Sequence, residues 1–180
     1  MKLHELSPVP GSNPKAYRKA VALLAESEFI DIFGVENSLT PAMDLFTKLG
    51  YLGLTCRLNT DAYLQQIGAG HLPHGAVAVA FSHSGSSADT VKALRLAKSH
   101  GVKTIAITNA IGAPLASWAD VTLLTGRDSH TIYGNAIFSR VADTALVDML
   151  YMGVILSGYG RFSTALDESG RMIRDRVFEN

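Results

Sequence analysis

This chain cannot close a disulfide within itself, because Cys56 is its only cysteine. It also lacks a long apolar run. The longest candidate, residues 149–155, is interrupted by Gly153 and falls well short of the ~18 to 20 residues that a membrane span requires. Nor does the chain open on a stretch of the signal-peptide kind. These absences lead us to expect a soluble protein of the reducing cytoplasm with no membrane partner. Net charge is missing too, since 16 basic residues balance 16 acidic ones. Without a whole-molecule field to draw it onto nucleic acid or anionic lipid, no direct nucleic-acid binding by this chain is expected, and any anion site must be local. Two familiar phosphate signatures are also absent. No Gly-Lys-Ser/Thr occurs, and the turn Gly34-Val35-Glu36-Asn37-Ser38 lacks the repeated glycines that admit a pyrophosphate.

What is present is 180 residues of globular composition, 47% hydrophobic and 18% charged, enough for one compact core. Residues 1–12, with Pro8, Pro10 and Gly11, read as a flexible lead-in or the remnant of a linker, and residues 13–180 as a single domain. Asn13-Pro14 is an N-cap followed by proline at the first helical position. Short apolar runs predict strands at residues 29–33, 52–58, 76–81, 103–108 and 121–124. Helical spacing fills the intervals at 40–49, 61–67, 87–100 and 114–118, then continues from about 133 to 156 and 162 to 177, with a break at Gly158-Tyr159-Gly160. The run Ala76-Val77-Ala78-Val79-Ala80-Phe81 is apolar on both faces, as a central parallel strand must be. Alternation of this kind predicts an α/β fold: a three-layer αβα sandwich with a doubly wound, five-stranded parallel sheet in the flavodoxin-like order 2-1-3-4-5. Ligands then sit where the strand order reverses, beyond the carboxyl ends of the first and third strands.

The loop at the end of the third strand reads Ser82-His83-Ser84-Gly85-Ser86-Ser87 and runs straight into a helix. Four hydroxyls, a glycine that lets the chain turn closely around an anion, and the free amides of a helix N-terminus make a phosphate cradle without any cation. Ser38, in the loop after the first strand, faces the same crevice and adds a fifth hydroxyl. The same composition would serve an ordinary turn and N-cap, and it is the placement at the switch point that favours phosphate.

With Asp89 and Thr90 included, the loop resembles the hallmark of SIS (sugar isomerase) domains, Ser-x-Ser-Gly-x-Thr/Ser-x-Glu/Asp-Thr. The similarity continues through the helix 91–100, the segment Thr104-Ile105-Ala106-Ile107-Thr108-Asn109, Pro114-Leu115-Ala116 and Ala119-Asp120-Val121. Phe33-Gly34-Val35-Glu36-Asn37-Ser38 and the late helix 139–150 make it most similar to the C-terminal phosphosugar-binding domains of RpiR-family transcriptional regulators. The resemblance implies that Ser38, Ser82, Ser84 and Ser87, with Gly85 and Ser86 in the same loop, bind the phosphate of a sugar phosphate. Asn37 and Asp89 would orient the loops. It further implies a homodimer or dimer of dimers, and neither a cofactor nor a metal is expected.

Enzyme and sensor remain as alternatives. A phosphosugar (aldose-ketose) isomerase needs an acid-base pair beside the sugar, and the candidates are Glu36, His83 and His130. Each has a plainer reading: Glu36 as a solvated residue, His83 as turned away from the crevice, His130 as a subunit contact. Catalytic relatives resembling phosphohexulose isomerases carry Glu where this chain has Ser86, which favours the ligand-sensing effector domain of a regulator of carbohydrate metabolism. Such a regulator reads DNA through an N-terminal helix-turn-helix of several dozen residues, absent from the roughly dozen residues that precede the first core helix here. His71 and His74 lack a third metal ligand. The arginines 161, 171, 174 and 176 alternate with acidic residues as a salt-bridged, solvated helix face would. The apolar surplus of the helix 137–156 suggests a subunit contact.

Overall fold

A computed structural model of the chain describes residues 13–126 and 140–174. Five strands, β1 (Phe29–Phe33), β2 (Cys56–Leu58), β3 (Ala76–Phe81), β4 (Lys103–Thr108) and β5 (Val121–Leu124), form one sheet. Every pairing is parallel and the order is β2-β1-β3-β4-β5, so the strand order reverses between β1 and β3 as the alternation predicts. Among the described residues six α-helices surround it: α1 (Pro14–Glu26), α2 (Leu39–Tyr51), α3 (Ala62–Ala69), α4 (Ala88–Ser99), α5 (Val141–Ser157) and α6 (Tyr159–Met172).

The two faces of the sheet differ in side-chain size. On β3, Val77, Val79 and Phe81 pack with Ile30, Ile32, Ile105 and Ile107 against α1, α2, α5 and α6. The alternate residues Ala76, Ala78 and Ala80, with Ala106, meet Ala93, Leu94 and Ala97 of α4 and Ala69 of α3. Because successive strand residues point to opposite faces, the alternation of alanine with valine and phenylalanine assigns a thick layer of four helices to one side. The other side receives a thin, closely approaching layer.

Some boundaries differ from the sequence reading for local reasons. Strand β2 begins at Cys56 rather than at 52, because α2 runs to Tyr51 and closes through a turn in which Gly53 takes φ +71 and Leu54 N–H donates to the Leu49 carbonyl. Residues Pro114–Trp118 form a 3-10 helix. The late break is at Gly158 alone: α6 starts at Tyr159, bent 116° from α5, with Phe162 N–H donating to the Gly158 carbonyl. Most of the apolar surface of α5 is absorbed within the chain, where Leu146, Val147, Leu150, Val154 and Ile155 are buried against α1, α2 and the sheet, leaving Val141 and Met152 exposed. Arg161 lies over the Phe162 ring at 4.9 Å and donates to the Ala25 carbonyl at 3.3 Å, so the salt-bridged face expected there is not formed among the described residues. The thiol of half-buried Cys56 is pushed up to about 12 by burial. No single described helix is long and apolar enough to cross a membrane.

One polar pair is built into the sheet. Asp31, 1% exposed in mid-β1, stands opposite Arg57 in the β1–β2 register and accepts from Arg57 Nε at 3.0 Å and Nη2 at 2.6 Å. The guanidinium lies 5.3 Å over the Phe29 ring and fills the space beside Gly68, where a Cβ would come within 2.5 Å of Nη2. Burial pushes the Asp31 carboxyl up against the opposing effect of Arg57, and the same bonds hold Arg57 in its charged form. Removing one partner strands a buried charge. Arg57→Met is therefore expected to lower the unfolding free energy by about 3–5 kcal/mol, read by chemical denaturation, and the double variant Asp31→Leu/Arg57→Met to recover most of that loss.

Candidate functional site

The carboxyl ends of β1 and β3 open into a cavity of about 540 Å³ lined by Val35, Glu36, Asn37, Ser38, Ser82, His83, Ser84, Ser86, Ser87, Asp89 and Arg140. That is within the size range of a small-molecule site. Both loops singled out from the sequence meet here, together with the residue that precedes α5.

The serine loop is folded so that its carbonyls are spent on the protein. Ser82 C=O accepts from Gly85 N–H at 3.0 Å, and His83 C=O accepts from Asn109 N–H at 3.0 Å and from Thr108 Oγ1 at 3.1 Å. Ser84 C=O accepts from Ser86 Oγ at 3.2 Å, and Gly85 C=O accepts from Leu115 N–H at 2.9 Å. With the acceptors occupied, hydroxyls and the first amides of α4 remain for the cavity. The first helical bond runs from Val91 N–H to Ser87 C=O, so the amides of Ala88 and Asp89 precede it without an intrahelical acceptor. Ser87 Oγ accepts from Thr90 Oγ1 at 3.4 Å and keeps its own proton to give.

Gly85 itself does not line the cavity. Its φ is +62, and a Cβ would collide with that of Ala113 and lie 2.9 Å from Thr108 Oγ1. Glycine is needed because the loop packs tightly onto β4 and the 3-10 helix, which differs from the approach to an anion inferred from the sequence. Ser86 is exposed and its hydroxyl is engaged with Ser84, whereas Ser82 and Ser38 are buried.

On the first loop, Glu36 opens a 3-10 turn, Glu36–Ser38, and is the one non-glycine residue with positive φ (51) among the described residues. Such conformations are strained and gather at functional sites. Asn37 and Glu36 stand at the cavity edge. His83 is half-buried and among the residues lining the cavity, with both ring nitrogens enclosed. Burial, then the charge of Arg140, hold its imidazole below the usual range, against the opposing effect of Asp143. His130 lies outside the described residues.

Two contributions were not read from the sequence. Helix α3 carries adjacent glutamines that fasten both loops. Buried Gln65 accepts from Gly34 N–H at 3.2 Å, and its Nε2 donates at 2.7 Å to the carbonyls of Gly34 and Asn59. Gln66 Nε2 donates to Asp89 Oδ1 at 3.1 Å. The second is Arg140, whose side chain is 15% exposed. Its available signal was a cation at the start of a helix, where the dipole disfavours one, but a helix expected from residue 133 hid that position.

The sequence profile of the SIS domain family matches residues 23–153. The chain belongs to the SIS domain family. It is 30% identical over 168 residues to an uncharacterised HTH-type transcriptional regulator of Caldanaerobacter subterraneus, covering 93% of this chain and 60% of that protein. It is 24% identical over 161 residues to the HTH-type transcriptional regulator RpiR of Escherichia coli K12, covering 89% of this chain and 54% of the regulator. This SIS chain thus spans about half to three fifths of the length of these regulators. Among solved structures, the sugar isomerase domain of the RpiR transcription factor from Sphaerobacter thermophilus aligns with TM-score 0.79 at 25% identity, covering 89% of this chain and 88% of that one. The fold also matches Vibrio vulnificus NanR, solved in complex with ManNAc-6P, with TM-score 0.87 at 24% identity, over 94% of this chain and 64% of NanR.

Gln65→Leu leaves the Gly34 amide and two carbonyls without their partner and should cost about 2–3 kcal/mol of stability, measured by urea denaturation. For His83, the folded chain favours the neutral ring, so the associated stability is present above the unfolded value near 6.5 and is lost as pH falls below it. His83→Gln should accordingly flatten the decline of Tm between about pH 6.5 and 5.

Proposed function

We propose that this SIS domain is the ligand-sensing, phosphosugar-binding part of an RpiR-type regulator of carbohydrate metabolism, acting as a cytoplasmic homodimer. DNA would be contacted only through a helix-turn-helix region elsewhere in a longer protein. The observation that carries the reading is the convergence of serine hydroxyls and the α4 amides on one cavity at the strand-order reversal, with the loop carbonyls occupied elsewhere. Hydroxyl and amide donors gathered at a helix start suit a phosphate. The similarity to regulators along 93% and 89% of this chain supports the sensing role. So does NanR, a similar fold solved in complex with ManNAc-6P. In this reading Ser38, Ser82, Ser84 and Ser87 take the phosphate oxygens, and Asn37 and Asp89 keep the two loops in place.

A second reading, a stand-alone aldose-ketose isomerase, is favoured by Glu36 and His83 lining the same cavity, where an acid-base pair would have to stand. Against it stands Ser86, where the catalytic relatives named above carry Glu. The two readings part on turnover. Calorimetric titration with hexose, pentose and amino-sugar phosphates should give phosphate-dependent binding, weakened about 10- to 100-fold in Ser84→Ala; equal affinity for the unphosphorylated sugars would sink the proposal. NMR of the same mixtures should show no aldose-ketose exchange, and interconversion at a catalytic rate would hand the site to the isomerase.

A further inference from the structure

The hydroxyls explain how a phosphate is received but leave the one Arg or Lys among the described cavity residues without a role. Arg140 Nε and Nη1 are fully enclosed and have no hydrogen-bond partner among the described residues. The nearest carboxylate is that of buried Asp143, whose Oδ2 lies 4.0 Å from Nε, too far to accept a hydrogen bond. Asp143 thus offsets the charge without using the donors. Buried guanidinium N–H groups left in this condition are costly, and a cation just ahead of α5 also opposes that helix's dipole. The fold bears both costs at a position that faces the serine loop's cavity. Glu36 and Asp89 line the same space, so without Arg140 the described lining would carry only carboxylate charge.

We propose that Arg140 is a direct ligand of the anionic group held by the serine loop, its planar fork taking two phosphate oxygens while the serine hydroxyls and α4 amides take the others. This rests on the phosphosugar reading and deepens it: selection of the phosphorylated sugar over the free sugar is carried chiefly by Arg140. Asp143 is then a competitor that steadies the guanidinium in the empty site and yields it to the ligand.

The test is calorimetry on the full chain with the best-bound sugar phosphate of the panel, alongside thermal melts of every variant. Arg140→Gln should weaken binding about 10- to 100-fold with little change in Tm. Arg140→Lys, which keeps the charge and loses the fork, should lose a smaller part, about 3- to 10-fold; it carries the test if Arg140→Gln fails to fold. Asp143→Asn should bind as tightly as the wild type or tighter. The assignment is overturned if both Arg140 variants bind within about twofold of the wild type while Ser84→Ala loses affinity. It is equally overturned if Asp143→Asn weakens binding as much as Arg140→Gln, since Arg140 would then act by holding Asp143. Failure of the wild-type chain to bind any sugar phosphate would instead remove the phosphosugar reading, and the assignment with it.

Discussion

Two hydrogen bonds between the Gln65 side chain and the backbone of Gly34 fix the geometry on which the site depends. The cavity is assembled from loops that leave two different strands; β4 holds the serine loop, and the β1 loop is held from α3. Gln65 captures both the donor and the acceptor of Gly34, as a strand neighbour would, and so extends the register of β1 by one residue beyond its end. Its neighbour Gln66 reaches Asp89 in the first turn of α4. One short helix on the thin side of the sheet therefore holds both walls of the crevice. Asp31 and Arg57 secure that helix in turn, because the guanidinium that pairs with β1 also packs against Gly68 of α3. Polar groups this deeply buried specify one arrangement only when each has a partner, and this set does.

The same pairing of donors with acceptors explains how a chain with no net charge can offer a site for an anion. Charge is not concentrated over the surface; donors are concentrated at one point by directing carbonyls inward. Thr108, Asn109 and Leu115 take up the acceptors of the serine loop, so β4 and the 3-10 helix, which do not touch the cavity, determine its polarity. Gly85 is required by that arrangement, since only a residue without a Cβ allows the loop to lie on Ala113 and Thr108. The glycine of the motif serves the back of the loop and the serines serve the front.

Most of the fold is legible in the sequence because it is written in period and size. Alternation of strand and helix predicts the sheet order, and Ala-Val-Ala-Val-Ala-Phe marks β3 as central. The two loops can be placed at the reversal point for the same reason. Elements whose ends depend on turn geometry are less legible: apolar Leu52 and Leu54 lengthen the β2 expected from the sequence, yet they close the end of α2 and pack in the core. Gln65 and Gln66 leave no trace in an apolarity pattern, since their role is fixed by what they reach across the chain, 31 and 23 residues away. Arg140 is hidden for a related reason. Its position relative to the start of α5 decides whether it is a solvated helix residue or an enclosed cation, and period alone does not locate a helix start to one residue.

Arg140 is carried by α5, and α5 is held from three sides. Tyr17 of α1 donates to the Met149 carbonyl at 2.6 Å, with its phenol pushed up to about 12 by burial. Gly153 admits the same ring so closely that a Cβ would come within 2.5 Å of the Tyr17 hydroxyl oxygen. On another side, Lys48 of α2 bridges Asp44 at 2.7 Å and Asp148 of α5 at 2.5 Å. The apolar ridge of Leu146, Val147, Leu150 and Val154 supplies the third contact, against the sheet. A residue at the head of a helix so constrained starts from a fixed backbone position, which a recognition site requires. The donors of the proposed site thus come from four places, the loop after β1, the loop after β3, the start of α4 and the residue ahead of α5. The large residues of β3 bind the site to the thick helical layer, and its alanines let the thin layer come close enough to hold the loops.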